Sequence, residues 1–197
     1  MSLILDTAAQ DLLFREARTA NTFTDEPVTE EQAKAIYDLV KYGPTAMNTQ
    51  PLRITFVRSP EARERLVSHM SEGNKAKTAS APLVAIVGYD TDWHEELPKV
   101  FPHAEGAKAN FDNAAEIRHG MGSFNASLQI GYLIIAIRAA GLAAGPMAGY
   151  DAEAINKDFF GDGAHKVLAV INIGKPGPDA WFPRSPRLDY DEVVTTV

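Results

Sequence analysis

Side chains suited to holding a ligand occur in five short segments of this sequence, each beside the end of an expected helix or strand. Arginine guanidinium groups bind phosphate in bidentate fashion. Asparagine and backbone amides suit the edge of a heterocycle that both donates and accepts hydrogen bonds, and glycine-rich turns let a backbone approach a ring closely. Together the segments indicate a site for a phosphorylated heterocycle, although a turn alone explains each proline- or glycine-containing segment about as well. The residues are Arg18, Thr19 and Asn21; Pro44, Thr45, Ala46 and Asn48; Asn74 and Lys77; Pro146, Met147, Ala148 and Gly149; and Arg184 and Arg187.

The sequence carries none of the usual signatures of a side-chain catalyst. It has no Gly-x-Ser-x-Gly, no His-Glu-x-x-His and no Walker loop, and its five histidines lack the spacing of metal ligands. It has no cysteine, which excludes disulfides, thiolate nucleophiles, iron–sulfur clusters and cysteine zinc sites. We therefore expect no metal site, and none of these signatures identifies a catalytic side chain.

Charge and composition exclude two classes of partner. The 197 residues include 19 Lys and Arg against 26 Asp and Glu, a formal net charge of −7, which argues against a general nucleic-acid or anionic-membrane binder. The most apolar stretch, residues 128–140, is too short to span a bilayer and contains Gln129 and Arg138. The absence of cysteine fits a reducing compartment. We expect a soluble, cytoplasmic protein.

Hydrophobic periodicity and capping signals predict an α+β fold with more helix than strand. We expect a single domain over residues 1–197, with a lid-like excursion at residues 91–111 and a proline-rich C-terminal extension from residue 174. The expected helices are residues 7–18, one that begins after the capping box at Thr29, one opened by Ser59 and Pro60, and residues 124–140; the expected strands are residues 54–57, 83–87 and 167–173.

The helix expected at residues 124–140 is apolar around nearly its whole circumference. Such a helix must be buried on all sides. In a domain of this size that burial indicates a second subunit, and a symmetric homodimer is the commonest arrangement.

Three of the segments resemble motifs of the FMN-dependent nitroreductase family, and the resemblance runs from about Phe14 to Val193. They are Arg-Thr-x-Asn at residues 18–21, Pro-Thr-Ala-x-Asn-x-Gln-Pro at residues 44–51, and Gly-Leu-x-x-Gly-Pro-Met-x-Gly-Tyr-Asp at residues 141–151. Within the family, residues 73–78, 97–103 and 171–174 resemble the branch of the RutE-type malonic semialdehyde reductases of pyrimidine catabolism.

The resemblance implies a central, mainly antiparallel sheet flanked by helices, in an intertwined homodimer with two FMN sites at the subunit interface. It also implies a role for each candidate residue, with both chains lining each site. Arg18 and Thr19 would meet the polar edge or phosphate of the flavin, and Arg184 and Arg187 would hold the phosphate. Asn74 and Lys77 would face the pyrimidine end of the ring, Asn125 would bond the ribityl chain or ring edge, and backbone N–H groups within residues 146–149 would lie near flavin N5. The other subunit would contribute Pro44, Thr45, Ala46 and Asn48.

The implied activity needs no catalytic side chain, because flavin N5 carries the hydride. NADH or NADPH would reduce the flavin and leave, and an acceptor would then enter the same space. In the resembling branch the acceptor is malonic semialdehyde, reduced to 3-hydroxypropionate in pyrimidine degradation, and Arg53 or a residue of the excursion would hold its carboxylate.

Two other functions stay open at this stage, a broad nitroaromatic or quinone reductase and a non-catalytic flavin-binding module. The chain departs from many family members at Asn21, Leu52 and Ala148, where a second basic residue, a tryptophan and an acidic residue are common. These departures weaken the case for a generalist nitroaromatic reductase.

Overall fold

The computed structural model describes residues 3–161 and 163–197, and its centre is one four-stranded antiparallel sheet. Met1, Ser2 and Asp162 belong to the predicted single domain and lie outside the described residues. The strands, in the spatial order β1-β2-β4-β3, are β1 (Leu52–Val57), β2 (Leu83–Asp90), β3 (Ala143–Met147) and β4 (His165–Gly174). The helices are α1 (Thr7–Gln10), α2 (Glu30–Val40), α3 (Pro60–Ser68), α4 (Glu72–Ser80), α5 (Leu97–Val100), α6 (Ala115–Ala139), α7 (Ala152–Phe159) and α8 (Tyr190–Val193).

Strand β2 is covered on both faces, as its continuous apolar run predicts. Leu83, Ala85 and Val87 point into one core with α2 and α6. Val84 and Ile86 point into the opposite core with α3 and α7. The alternation follows from the two-residue repeat of a strand, and it makes the domain three layers of helix, sheet and helix.

Local capping chemistry sets the two helix starts that the sequence predicted most directly. Thr29 caps α2 by accepting from the Gln32 N–H (3.2 Å), and the Gln32 side chain accepts from the Thr29 N–H in return (2.9 Å). Ser59 caps α3 by accepting from the Ala62 N–H (3.2 Å), with Pro60 in the first helical position. Both caps satisfy helix-end donors that would otherwise be unpaired.

Several elements differ from the sequence predictions. The first helix is α-helical only to Gln10 and continues as a π-helical turn to Arg15. Residues 72–80 form α4, which was not predicted. Strand β3 replaces a predicted glycine-rich turn; it contains Pro146, which an edge strand tolerates because one side of it needs no N–H donor. The long helix begins at Ala115 and not near residue 124.

One face of helix α6, which carries both polar and apolar side chains, packs against the sheet. An apolar stripe on another face is exposed. Asn125, Gln129, Leu133 and Ile137 are buried, while Phe124, Leu128 and Tyr132 on the outer side are exposed. This chain alone therefore does not bury the helix on all sides. The exposed stripe is the surface that the expected second subunit would cover.

Among the described residues, α6 alone has the length and apolar composition that a membrane span needs, and core helices of soluble proteins satisfy both criteria too. The sequence analysis excluded a membrane span because the apolar stretch 128–140 is too short. Helix α6 has 25 residues, so its length does not exclude a span, and that argument was wrong. Its packing against β1, β2 and β3 is that of a core helix.

The excursion (residues 91–111) consists of short helical pieces around a small core of its own, in which Trp93 and Leu97 are buried against Phe111. Arg118, in the first turns of α6, joins its two ends by donating to the carbonyl oxygens of Thr91 (3.3 Å) and Phe111 (2.6 Å). The Trp93 indole N–H donates to the Arg118 carbonyl in return (2.9 Å). The excursion is thus anchored to α6 at both ends.

Candidate functional site

The structure brings five of the predicted site residues together around one cavity of about 300 Å³, here called the arginine cavity. Its position is fixed by residues 18–21, which lie between β3 and the C-terminal extension. The Ala20 N–H donates to the Ala144 carbonyl (3.4 Å), and the Asn21 N–H donates to the Ala180 carbonyl (3.0 Å). The predicted residues that line the cavity are Arg18, Thr19, Asn21, Arg184 and Arg187.

The arginine cavity concentrates positive charge. Arg184 donates to the carbonyl oxygens of Arg15 and Ala17, and Arg187 donates to those of Ser185 and Pro186. Within residues 3–161 and 163–197, the one carboxylate recorded beside the three arginines is Glu16, at 3.7 Å from Arg18.

Carbonyl dipoles alone offset little of this charge, and an anion with several oxygens would be favoured there. The residues of the cavity therefore fit a phosphate group.

A second group of predicted residues lies at the far end of β3, where the Gly149 carbonyl accepts two hydrogen bonds. The Asn74 side-chain amide donates to it at 2.9 Å, and the Ser71 N–H donates at 3.0 Å. A Cβ on Gly149 would come within 2.7 Å of the Asn74 amide nitrogen, so a side chain at this position would displace that amide. Lys77 follows Asn74 by about one turn of α4 and is half-buried.

Behind this end of β3 lies a buried polar cluster that the sequence did not reveal. The Met147 sulfur accepts from the Thr78 hydroxyl (3.8 Å) and from the Asn172 amide (3.9 Å). Asn172 is fully buried, and its Oδ1 has no hydrogen-bond partner among the described residues. Asn172 within the apolar run of β4 could have indicated this cluster. A polar side chain in a strand buried on both faces needs hydrogen-bond partners nearby.

Strand β3 joins these two groups. Ala20 packs against Ala143 at the start of the strand, and Gly149 follows just after its end at Met147. A five-residue strand spans about 16 Å. The arginine cavity and the Asn74–Gly149 contact thus lie at the two ends of one outer strand, which is mostly buried; Pro146 is half-buried and Ala148, just beyond the strand, is exposed.

The third group lies at the opposite edge of the sheet. Residues 44–50 lead into β1, and there the Thr45 hydroxyl accepts from the Gln50 N–H (3.2 Å) while the Asn48 amide donates to the Val100 carbonyl (2.7 Å). Three strand spacings separate β1 from β3, a distance of about 14 Å. Within one chain, Pro44 to Asn48 therefore do not meet the other two groups.

Two candidate contacts with a ligand differ from the sequence expectation. Asn125 is 1% exposed; its Oδ1 accepts from the Ala46 N–H (2.7 Å), and its Nδ2 donates to the Met121 carbonyl (2.8 Å). It therefore supports the residue 44–50 loop and presents no polar atom to a ligand from this chain.

Arg53, suggested for a substrate carboxylate, is already paired with Asp90 at 2.5 Å. It also donates to the Gln50 and Leu52 carbonyls (3.1 and 3.0 Å), so it stabilises the start of β1.

One group of side chains has the composition of a metal site. His94, Glu95 and Asp112 place one ligand atom each within 4.8 Å of one another. The Lys108 ammonium lies 3.2 Å from Glu95 and 2.7 Å from Asp112, and these hydrogen bonds, Asp112 first, raise the pKa of Lys108. The lysine already supplies the positive charge that a cation would bring, so these residues fit an ion-pair network better than a metal.

Comparisons with known proteins identify the family of this chain. The family model described as the nitroreductase family matches residues 14–175. A Streptomyces coelicolor protein with the provisional name NADH dehydrogenase/NAD(P)H nitroreductase is 68% identical over 197 residues, covering both chains fully. A Stenotrophomonas maltophilia protein with the same provisional name is 50% identical over 194 residues and 98% of each chain.

Solved structures share the fold at low identity. A provisionally named nitroreductase from Exiguobacterium sibiricum, solved in complex with FMN, has a TM-score of 0.86 at 19% identity, with both chains covered fully. A provisionally named NAD(P)H:FMN oxidoreductase from Staphylococcus epidermidis has a TM-score of 0.83 at 21% identity and covers 100% of this chain and 99% of its own. The fold, the family model and the close relatives lead to one conclusion: this chain belongs to the nitroreductase family.

Proposed function

We propose that this protein is a homodimeric, FMN-dependent NAD(P)H oxidoreductase. The observation that carries the proposal is the arginine cavity, where Arg18, Arg184 and Arg187 converge with one carboxylate recorded beside them. An FMN phosphate would neutralise this charge through bidentate contacts. The FMN complex of the E. sibiricum structure and the NAD(P)H in the relatives' names support the same cofactors.

The rest of the cofactor would extend from the arginine cavity toward the Asn74–Gly149 contact. Asn74 and Lys77 would face the pyrimidine end of the ring, with backbone N–H groups of Met147 to Gly149 beside it. When bound, FMN supplies the hydride and electron-transfer chemistry that the side chains lack. The protein orients the nicotinamide and then the acceptor over the ring at about 3–3.5 Å, which is the reach of a productive encounter.

Each site would be completed by the partner subunit. Residues 44–50 lead into β1, which three strand spacings, about 14 Å, separate from β3, so a second copy would bring them to the flavin site. Phe124, Leu128 and Tyr132 expose an apolar stripe on α6 that such a partner would cover. The apolar side chains of the exposed C-terminal extension, including Phe182 and Leu188, would add to that interface.

The proposed acceptor is malonic semialdehyde, reduced to 3-hydroxypropionate in the cytoplasm as a step of pyrimidine degradation. The motifs at residues 73–78, 97–103 and 171–174, which resemble those of the malonic semialdehyde reductase branch, support this acceptor. The names of the relatives favour a second candidate, a broad nitroaromatic or quinone reductase. Steady-state rates with both acceptor classes decide between them; fast turnover of nitroarenes without semialdehyde reduction would eliminate the first.

Flavin binding itself has a direct test. The purified protein should show the visible absorption of bound FMN, and NADH or NADPH should bleach it. Bound flavin that neither donor bleaches would leave a non-catalytic flavin-binding module, and a protein that rejects FMN would overturn every flavin function.

Complementation tests whether each site uses two chains. Arg187→Glu would place a carboxylate in the arginine cavity, and Ala46→Glu would place one on the exposed surface of the 44–50 loop. Each homodimer should lose FMN. A heterodimer of the two variants, isolated with two affinity tags, should hold one FMN, because one site carries both changes and the other carries neither. If one chain built a whole site, both sites would be damaged and no FMN would return.

A further inference from the structure

Two buried side-chain amides on α6 hold the two ends of the loop that leads into β1. Asn125 Oδ1 accepts from the Ala46 N–H at 2.7 Å, and Gln129 Oε1 accepts from the Leu52 N–H at 3.0 Å. The two amides are four residues apart, so they lie on one face of the helix, about one turn from each other. Both side chains belong to residues less than 5% exposed.

The loop between these two contacts has an unusual backbone. Met47 and Asn48 have φ of 53° and Gln50 has φ of 43°, although none of them is glycine. Asparagine adopts this left-handed conformation comparatively readily, but it is costly for methionine and glutamine, where it persists only if the surroundings impose it. The loop therefore depends on outside contacts for its shape.

The excursion provides the contact on the loop's other side. Met47 packs against the small core around Trp93 and Leu97, and the Asn48 amide donates to the Val100 carbonyl at 2.7 Å. The loop is thus held between the excursion and the two amides of α6. The amides fix the backbone at its two ends, while the excursion fixes its middle.

We propose that Asn125 and Gln129 are positioning residues, which hold residues 44–50 in the shape that a second copy of this chain uses at its flavin site. The positioning step rests on contacts within one chain; its consequence for FMN rests on the proposed function. Neither amide contacts the ligand in this scheme, because both are buried and Asn125 has both polar atoms bonded.

The test compares two Asn→Leu variants in the full-length protein. Asn125→Leu removes the bond to Ala46. Asn156→Leu is the matched control: its Oδ1 also accepts a backbone N–H, from Val167 at 2.8 Å, but this bond joins α7 to β4, away from the loop. Both variants should unfold at lower urea concentration. Asn125→Leu alone should raise amide hydrogen exchange within residues 44–52, by about tenfold for a contact of ordinary strength.

A conservative variant separates the loop contact from general stability. In either protonation state, the carboxyl introduced by Asn125→Asp still accepts from the Ala46 N–H. It should therefore retain slow exchange within residues 44–52 even where the overall stability falls. If Asn125→Leu does not fold, Gln129→Leu gives the same readout at the Leu52 end of the loop.

The outcomes distinguish this inference from the proposed function. Unchanged exchange at residues 44–52 in Asn125→Leu, or an equal rise in Asn156→Leu, overturns the positioning role. FMN titration of the apoprotein should show about tenfold weaker binding for Asn125→Leu than for Asn156→Leu. Faster exchange with unchanged FMN affinity would confirm the positioning and refute the loop's part in the flavin site.

Discussion

Gly122→Ala would test how α6 anchors the excursion. An ideal Cβ on Gly122 lies 2.7 Å from Tyr89 Cδ2 and 3.1 Å from Trp93 Cδ1, both well inside ordinary contact. Neither ring moves away easily: Tyr89 lies in β2, opposite Leu52, and the fully buried Trp93 donates its indole N–H to Arg118. The substitution therefore overpacks a site between two fixed rings.

The magnitude follows from two opposing effects. Overpacking of a core costs about 1–3 kcal/mol, while replacing glycine by alanine inside a helix gains about 1 kcal/mol. Gly122→Ala should therefore lower the free energy of unfolding by up to about 2 kcal/mol. Gly120→Ala, on the same helix with no atom within 4 Å of the new methyl group, should gain about 1 kcal/mol instead.

Urea denaturation of both variants at equal protein concentration measures the difference, with equal m-values required for the comparison. Near-ultraviolet circular dichroism would report the displacement of Trp93 in Gly122→Ala alone. Equal stability of Gly122→Ala and Gly120→Ala would refute the packing argument, because helix propensity would then be the only effect present.

Three further substitutions test other parts of the structure. Gly149→Ala should displace the Asn74 amide, cost about 1 kcal/mol of unfolding free energy and weaken FMN binding, as measured by urea denaturation and fluorescence titration. Arg187→Ala should weaken FMN binding by about ten- to a hundredfold through loss of a charge-assisted contact, and unchanged affinity would remove Arg187 from the phosphate site. A hydrogen bond with His69 and the nearby charge of an arginine lower the pKa of Asp158 from its ordinary value of 3.8. The ionised carboxylate therefore stabilises the fold fully above pH 3.8, and this contribution is lost as the pH falls through the lowered pKa. Asp158→Asn should therefore destabilise the protein by about 1 kcal/mol at pH 7 and progressively less below pH 3.8 in urea denaturation, whereas a pH-independent loss would contradict the assignment.

Elements marked by local chemistry could be predicted from the sequence. Thr29 and Ser59 cap the helices that follow them, because a side-chain oxygen three residues before a backbone N–H is a property of the local chain. Strand β3 could not be predicted in this way. Its Gly145 and Pro146 favour a turn locally, and the strand exists because β4 offers it five paired positions at the sheet edge.

The kind of ligand that suits the candidate site was easier to predict than the contacts its residues make within the chain. Arg18 and Arg184 were suited to phosphate by type alone, and the fold brings them to one cavity. Arg53 and Asn125 were equally suited to a ligand by type. Strand pairing places Asp90 beside Arg53, and helix packing places Ala46 against Asn125, and neither pairing has a local sequence signal.

The width of the sheet supports the proposed site between two chains. Arg18, Asn74 and Gly149 depend on β3 or its ends, whereas Asn48 precedes β1, and the order β1-β2-β4-β3 makes these the two outer strands. No movement of a loop within one chain joins edges about 14 Å apart while the two inner strands lie between them. In the proposed function, a ligand that touches both the arginine cavity and the strained residue 44–50 loop would therefore lie between two protomers. If the proposed dimer forms the site, its dissociation should release the ligand even though each chain keeps all of its binding residues.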